Sequence, residues 1–221
     1  MDNHLRTALT AEIGVLGPHA YSSLAEAIDR SRARVAGLDR KEYPHALPMM
    51  VRCDLRERFK ENGLPDGWEL TGDSRLMGQL SLTNQDADID VRFLKERKSY
   101  VGGTPPAGRN PARRRAWTNG DGMAWSIQDQ PLEDLAIVTE EPKLHRLLML
   151  WDNAGARAED GFKLRVVRPI APGRYGRKVP LDFSLDVLPG GTIFDNREFV
   201  GDDEDIDLYA AEIDEAVDGD D

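Results

Sequence analysis

The feature that most constrains the fold of this chain is a pair of neighbouring stretches in which polar and apolar residues alternate. They cover residues 79–84 and residues 88–94. A period of two is typical of a β-strand that buries only one of its faces. The residues between the stretches, 84–87, include Asn and Asp, whose side chains bind nearby backbone amides in turns. The sequence therefore predicts a β-hairpin whose outer face carries charged side chains.

The first third of the chain shows a different period. Apolar residues recur at helical spacing in residues 4–16, 24–35 and 49–61, which is typical of helices with one buried stripe. Gly17-Pro18 is expected to end the first helix, because proline lacks an amide hydrogen and clashes with the preceding turn. Asn62-Gly63 is expected to end the third helix, since glycine readily adopts the backbone conformation that follows a helix.

Further strands are expected towards the end of the chain. Residues 162–170 and 179–188 predict two of them, whereas residues 144–151 suit either a strand or a helix. In the strand predicted for residues 179–188, Leu181 is expected to face the core and Asp182 the solvent. Helical patterns that precede a run of strands are typical of the α+β class. We therefore expect N-terminal helices packed on a mostly antiparallel sheet of about five to seven strands.

Charge divides the chain into a body and a tail. Of its 40 acidic residues, eleven lie in residues 201–221, which contain no Lys or Arg. The remaining 29 acids equal the 29 bases, so residues 1–200 are neutral and the tail carries the whole net charge of −11. We expect a single α+β domain over residues 1–200, helical in residues 1–62 and sheet-rich in residues 63–200. An acidic C-terminal tail follows it.

The tail also has an apolar pattern. Ile206, Tyr209, Ile213 and Val217 are spaced like the apolar stripe of an amphipathic helix. Such a helix would dock on a basic surface, either of a partner protein or of this chain. The other interpretation is a solubilising tail in which the spacing arises by chance.

A dense group of bases follows the predicted hairpin. It comprises Lys95, Arg97, Lys98, Arg109, Arg113, Arg114 and Arg115, with only Glu96 of opposite charge among them. Gly and Pro residues predict a loop in the middle of this segment. One interpretation is a solvated loop with scattered ion pairs. The other is an anion-binding surface for nucleic acid, nucleotide phosphate or an acidic protein segment, next to Trp117, which suits stacking on a base or on another side chain.

A second loop adds to these bases. Residues 171–178 join the last two predicted strands and contain Arg174, Arg177 and Lys178. Their Gly and Pro content again predicts a turn.

Two motifs resemble the signature of the nucleotidyltransferase superfamily. Gly72-Asp73-Ser74 is similar to its Gly-Ser turn, and Asp88-Ile89-Asp90 is similar to its Asp-x-Asp strand. The resemblance implies that Asp88 and Asp90 hold magnesium ions that bridge a nucleoside triphosphate and the attacking hydroxyl. It also implies a third carboxylate on a later strand, for which Asp182 and Asp186 are the candidates. All three carboxylates must then converge beside an open pocket.

Several classes of protein are disfavoured by composition. The single cysteine, Cys53, cannot form an intrachain disulfide, as expected in a reducing cytoplasm. Residues 1–6 do not form the pattern of a signal peptide, and the longest apolar run, residues 147–151, is too short to cross a membrane. The four histidines have no spacing typical of metal ligands. We therefore expect a cytoplasmic protein with no membrane contact and no cofactor.

These patterns lead to two functional hypotheses. The first is a non-enzymatic interaction or regulatory protein of bacterial or phage origin, antitoxin-like or inhibitor-like by analogy. It would contact a protein partner through the acidic tail and the basic loop, and nucleic acid is a further possible ligand of that loop. The alternative is a metal-dependent nucleotidyltransferase-like enzyme that uses magnesium.

Overall fold

The computed structural model describes residues 1–109, 114, 117–118, 144–153 and 161–195. In this part of the chain, two helices lie on one face of a seven-stranded sheet. In chain order the elements are α1 (Asn3–Arg34), α2 (Ala46–Asn62), β1 (Trp68–Thr71), β2 (Ser81–Asn84), β3 (Ile89–Lys95), β4 (His145–Asn153), β5 (Phe162–Pro169), β6 (Leu181–Val187) and β7 (Ile193–Phe194).

The strands lie side by side in chain order, from β1 at one edge to β7 at the other. Neighbouring strands are antiparallel except for the pair β3 and β4, which is parallel. The expected α+β class and mostly antiparallel sheet are therefore confirmed. Of residues 144–151, which the sequence left open between strand and helix, residues 145–151 belong to strand β4.

The predicted hairpin is formed by β2 and β3. Its turn is stabilised by Asn84, whose Oδ1 accepts hydrogen bonds from the backbone N–H groups of Asp86 and Ala87, both at 3.1 Å. This is the local bonding for which Asn is favoured in turns. The predicted turn between the two strands is thus confirmed.

The prediction that Gly17-Pro18 ends the first helix was wrong, because α1 continues through both residues. Leu16 and Gly17 before the proline ring and Ala20 after it are all buried. The helix is thus held against the rest of the molecule on both sides of Pro18, whose own ring is exposed. Tertiary packing of an apolar face can outweigh an unfavourable residue within a helix.

The main core lies between the helices and the sheet. Leu9, Ile13 and Leu24 of α1 and Leu55 of α2 are buried there against alternate residues of the central strands. Phe59 of α2 contacts Phe93 of β3 edge-to-face, with ring centroids 5.6 Å apart.

A smaller core covers the opposite face of the sheet, which we call the second face. Leu94, Leu150 and Val179 are buried in it together with Trp117. The indole N–H of Trp117 donates a hydrogen bond to the carbonyl of Pro105 at 2.9 Å. The loops that follow β3 and β5 therefore fold over the face of the sheet that the helices leave uncovered.

An irregularity between β5 and β6 changes which way one strand end faces. Arg168 pairs with Phe183, but the next residue, Pro169, pairs with Leu181, so Asp182 is an extra residue in β6. As a result Leu181 packs against the second core instead of the main core. Asp182 forms an ion pair with Arg168 and lies 3.9 Å from the amino group of Met1. The prediction that Asp182 faces solvent was therefore wrong.

Candidate anion-binding surface

Lys95, the first residue of the basic group, is neutralised within the chain. Its Nζ lies 2.7 Å from Oδ1 of Asp152 and 5.2 Å from the ring centroid of Trp151. It ends β3 opposite Trp151 in the parallel pair, which places its side chain beside both partners. Lys95 therefore stabilises the folded chain through these contacts. The cations available to a ligand are those that follow it in the sequence.

The chain turns sharply after β3 and exposes two cations. The backbone N–H of Arg97 bonds the carbonyl of Gly103 at 3.1 Å and closes the turn. Arg165 of β5 supports the turn from below, since its Nη2 donates to the carbonyl of Gly102 at 2.5 Å and also pairs with Glu96. Glu96, the only acid of this segment, is therefore paired with Arg165. Arg97 and Lys98 are exposed in the turn.

The loop between β5 and β6 forms a second exposed turn. The N–H of Arg177 bonds the carbonyl of Arg174 at 3.1 Å. Both arginines and Lys178 are exposed. Between them Tyr175 has 88 % of its surface exposed. This loop therefore presents three cations and an aromatic ring to solvent.

The two loops are neighbours in space although about seventy residues separate them in sequence. The N–H of Ala107 bonds the carbonyl of Pro172 at 2.8 Å. A Cβ placed on Gly102 would lie only 3.2 Å from Cγ of Lys178, so the lysine stem passes directly over this glycine. The two turns are thereby brought together on the second face of the sheet.

We call the exposed cations of these loops the basic surface. Its members are Arg97, Lys98, Arg109, Arg174, Arg177 and Lys178. Residues 95–109 and 170–178 together contain seven bases and one acid. Lys95 and the acid, Glu96, each have a partner of opposite charge, so a positive potential is concentrated here in a chain that is acidic as a whole.

The remaining residues of the predicted anion site fall into two groups. Arg114 is half-buried, and its carbonyl accepts a hydrogen bond from the N–H of Trp117 at 3.1 Å. Trp117 is fully buried, with the guanidinium of Arg92 5.9 Å from its ring centroid. Of the two stacking roles left open for Trp117, the structure shows the one with another side chain. Arg113 and Arg115 lie outside the described residues.

The acidic tail also lies outside the described residues. The partner-binding stripe expected there, which comprises Ile206, Tyr209, Ile213 and Val217, therefore stays a prediction.

The structure does not bring together the carboxylates of the nucleotidyltransferase resemblance. Asp88 is exposed in the turn before β3, with a φ of 54°. Asp90 lies on β3, whereas Asp182 and Asp186 both lie on β6. Strands β4 and β5 intervene, so β3 and β6 are about 14 Å apart at the usual strand spacing. Asp182 moreover pairs with Arg168 on the helix-covered face, so the expected metal-bridging trio is not formed.

Asp90 lies in a largely buried polar environment on β3. Burial raises the pKa of its carboxyl, and this effect outweighs the hydrogen bond from Thr83 and the charges of Arg146 and Arg92. The Thr83 hydroxyl donates to Oδ1 of Asp90 at 3.1 Å. These contacts connect β2, β3 and β4, so Asp90 belongs to a polar row that crosses the sheet.

Sequence reasoning missed a second group of cations on the helical side of the molecule. Arg30 and Arg34 of α1, and Arg52, Arg56 and Lys60 of α2, line one cavity. The signal in the sequence was their spacing of four, which places each set in a row along one face of a helix.

Two kinds of feature are absent from the described residues. No three His, Cys, Asp or Glu side chains in this part of the chain are grouped so that they could hold a metal ion. None of the helices described has both the length and the apolar character needed to cross a membrane.

Comparisons with protein-family models, curated proteins and solved structures gave no match for this chain. The geometry of its own residues is therefore the basis for proposing a function.

Proposed function

We propose that this chain is a non-enzymatic interaction or regulatory protein whose basic surface binds an acidic segment of a protein partner. The observation that carries the proposal is the meeting of two distant loops that expose six cations side by side. An antitoxin-like or inhibitor-like role in the cytoplasm of a bacterium or its phage fits such a surface, by analogy. No cofactor or magnesium ion takes part in this function.

Apolar groups among the cations favour a protein segment as the ligand. Val101 lies in the first turn with 53 % of its surface exposed, and Ile170 and Tyr175 are exposed in the second loop. A segment that carries both acids and apolar side chains would satisfy the cations and cover these groups. The tail, residues 201–221, has this composition. We therefore expect the tail to bind a basic surface of the partner. A peptide with the tail's sequence is also a suitable probe for the basic surface of this chain.

Fluorescence anisotropy with the full chain tests the class of ligand. Three labelled probes are compared: a peptide with the sequence of residues 201–221, a peptide of the same composition with its apolar residues moved off one helical face, and a single-stranded oligonucleotide. The chain's own tail is present in every titration, so the three probes are compared under the same conditions. We expect the first peptide to bind most tightly, because it alone combines charge with an apolar stripe. Equal binding of the rearranged peptide, or tighter binding of the oligonucleotide, would contradict the proposal.

Nucleic acid is a second candidate ligand, and the observation that favours it is Tyr175. The exposed ring lies between Arg174 and Arg177, as in surfaces where bases stack on aromatic rings beside backbone-binding cations. In that case Tyr175→Ala should weaken oligonucleotide binding by about 1–3 kcal/mol, and should weaken it more than peptide binding. Removal of residues 201–221 should then strengthen nucleic-acid binding, and the gain should fade as salt rises.

A further inference from the structure

A cavity of about 330 Å³ lies between α1, α2 and the turn of residues 72–78. It is on the helical side of the molecule and shares no residue with the basic surface. Its lining includes five cations, which are Arg30, Arg34, Arg52, Arg56 and Lys60. Like charges four residues apart on a helix repel one another. Two such rows line one cavity, so the unfavourable repulsion between them indicates that the cavity binds an anion.

The arginines of α2 are held in place by backbone groups of the neighbouring turn. Arg56 donates to the carbonyls of Thr71 at 3.2 Å, Gly72 at 3.1 Å and Gln79 at 3.3 Å. Arg52 donates from Nη2 to the carbonyl of Met77 at 2.6 Å. These contacts fix both guanidinium groups at the cavity before any ligand arrives, which lowers the entropy cost of binding.

Three carboxylates line the same cavity but leave it positively charged. They are Asp54, Glu57 and Glu61, so five cations face three anions. The hydrogen bond from Lys60 holds the pKa of Glu57 below its ordinary value. Glu61 forms its ion pair with Arg58, at 2.5 Å. Counted by formal charge, the lining keeps an excess of two positive charges.

We propose that this cavity binds a small multivalent anion of the phosphate class. Its volume suits a phosphate or diphosphate group with a small substituent, since ligand pockets range upwards from about 300 Å³. Guanidinium groups fixed by other contacts match the geometry of phosphate oxygens. This site is independent of the proposed function, because it lies on the other side of the sheet and uses other residues.

The chain provides its own reporter for this site. Cys53, its single cysteine, is half-buried and lines the cavity. The rate at which iodoacetamide alkylates this thiol in the full chain can be followed by mass spectrometry. Pyrophosphate, inorganic phosphate and acetate are added at constant ionic strength. Pyrophosphate should slow alkylation along a single-site saturation curve, phosphate less strongly, and acetate not at all.

Two double variants test whether the protection of Cys53 from alkylation depends on the cavity. Arg30→Gln with Lys60→Gln, both at partly exposed side chains, should abolish protection. Arg40→Gln with Lys41→Gln removes the same charge from exposed positions after α1 and should leave protection intact. If the first variant fails to fold, as judged by circular dichroism, Lys60→Gln alone takes its place and should weaken protection.

Three results would overturn the proposal. The first is the absence of saturable protection by pyrophosphate. The second is equal protection by acetate. The third is protection that survives the cavity variants, or that is lost equally in the Arg40→Gln, Lys41→Gln control. Arg174→Gln with Arg177→Gln, a variant of the basic surface, should be protected like the unchanged chain. The test of this anion site is therefore independent of the test of the proposed function.

Discussion

At the scale of single residues, Asp54 joins the two helices through one buried carboxylate. It belongs to α2, is 2 % exposed, and accepts a hydrogen bond of 2.6 Å from Ser31 of α1. Arg34 of α1 pairs with the same carboxylate. A buried carboxylate with both a hydroxyl and a guanidinium partner holds its neighbours in one arrangement, so its removal should be costly.

Asp54→Ala should therefore lower the free energy of unfolding by about 2 kcal/mol, because the buried Ser31 hydroxyl loses its partner. Asp29→Ala is the matched control. Asp29 also faces an arginine, Arg32 at 3.8 Å, but its side chain is 80 % exposed, and its loss should cost less than about 0.5 kcal/mol. Urea unfolding monitored by circular dichroism measures both. Equal costs for the two variants would show that Asp54 does not join the helices.

The buried carboxyl of Asp90 gives a prediction about pH. Its pKa is raised above the ordinary value of 3.8, so the folded state favours the protonated form. The stability that this preference contributes is complete below the unfolded pKa and is lost as pH rises through the folded pKa. Asp90→Asn mimics the protonated form. The variant should therefore gain stability relative to the unchanged chain as pH rises from about 4 towards 7. A variant that loses stability over this range would show that ionised Asp90 is needed by its neighbouring arginines.

At the scale of secondary structure, sequence patterns predicted the strands and helices well where a local signal decides. The hairpin of β2 and β3 and the end of α2 at Gly63 follow from alternation and turn chemistry. Pro18 gave a local signal of the same strength, yet α1 passes through it because contacts from outside the helix hold it in place. The extra residue Asp182 in β6 depends on pairing with β5. No pattern within one strand reveals such a pairing.

Substitution of two glycines of α1 tests how contacts with residues outside the helix affect its stability. A Cβ on Gly17 would lie 2.7 Å from the carbonyl oxygen of Gly191, whereas one on Gly14 would lie 3.5 Å from Cδ1 of Ile193. Gly14→Ala should stabilise the protein by about 0.5–1 kcal/mol, as expected for alanine in a helix. Gly17→Ala should instead destabilise it by about 1–3 kcal/mol, because backbone must move to admit the methyl group. Thermal unfolding of both variants provides the measurement, and stabilisation by Gly17→Ala would contradict the packing described here.

At the scale of the whole molecule, the bases of the basic surface could be found in the sequence but their meeting could not. Arg97 and Arg177 are eighty residues apart, and no local period connects them. Their proximity depends on Trp117 and Val179 being buried in the second core beneath the loops. The separation of Asp90 from Asp182 has the same origin, since strand order is a long-range property.

Residues 1–200 should fold without the acidic tail, because their acids and bases balance and the two cores lie within residues 1–195. A chain truncated after residue 200 should keep the circular dichroism spectrum and cooperative unfolding of the domain. With a formal charge of zero it should be less soluble near neutral pH than the full chain. Loss of cooperative unfolding would show that the tail contributes to the folded core.

The two loops, which are distant in sequence, are proposed to form one binding surface, and peptide binding by loop variants tests this claim. One variant carries Arg97→Gln with Lys98→Gln, a second carries Arg174→Gln with Arg177→Gln, and a third carries all four. Anisotropy titrations with the peptide of residues 201–221 should show roughly two- to tenfold weaker binding for each loop variant, and still weaker binding for the third. Arg40→Gln with Lys41→Gln, which removes two charges elsewhere, should bind as the unchanged chain does. Unchanged binding in either loop variant would contradict the claim.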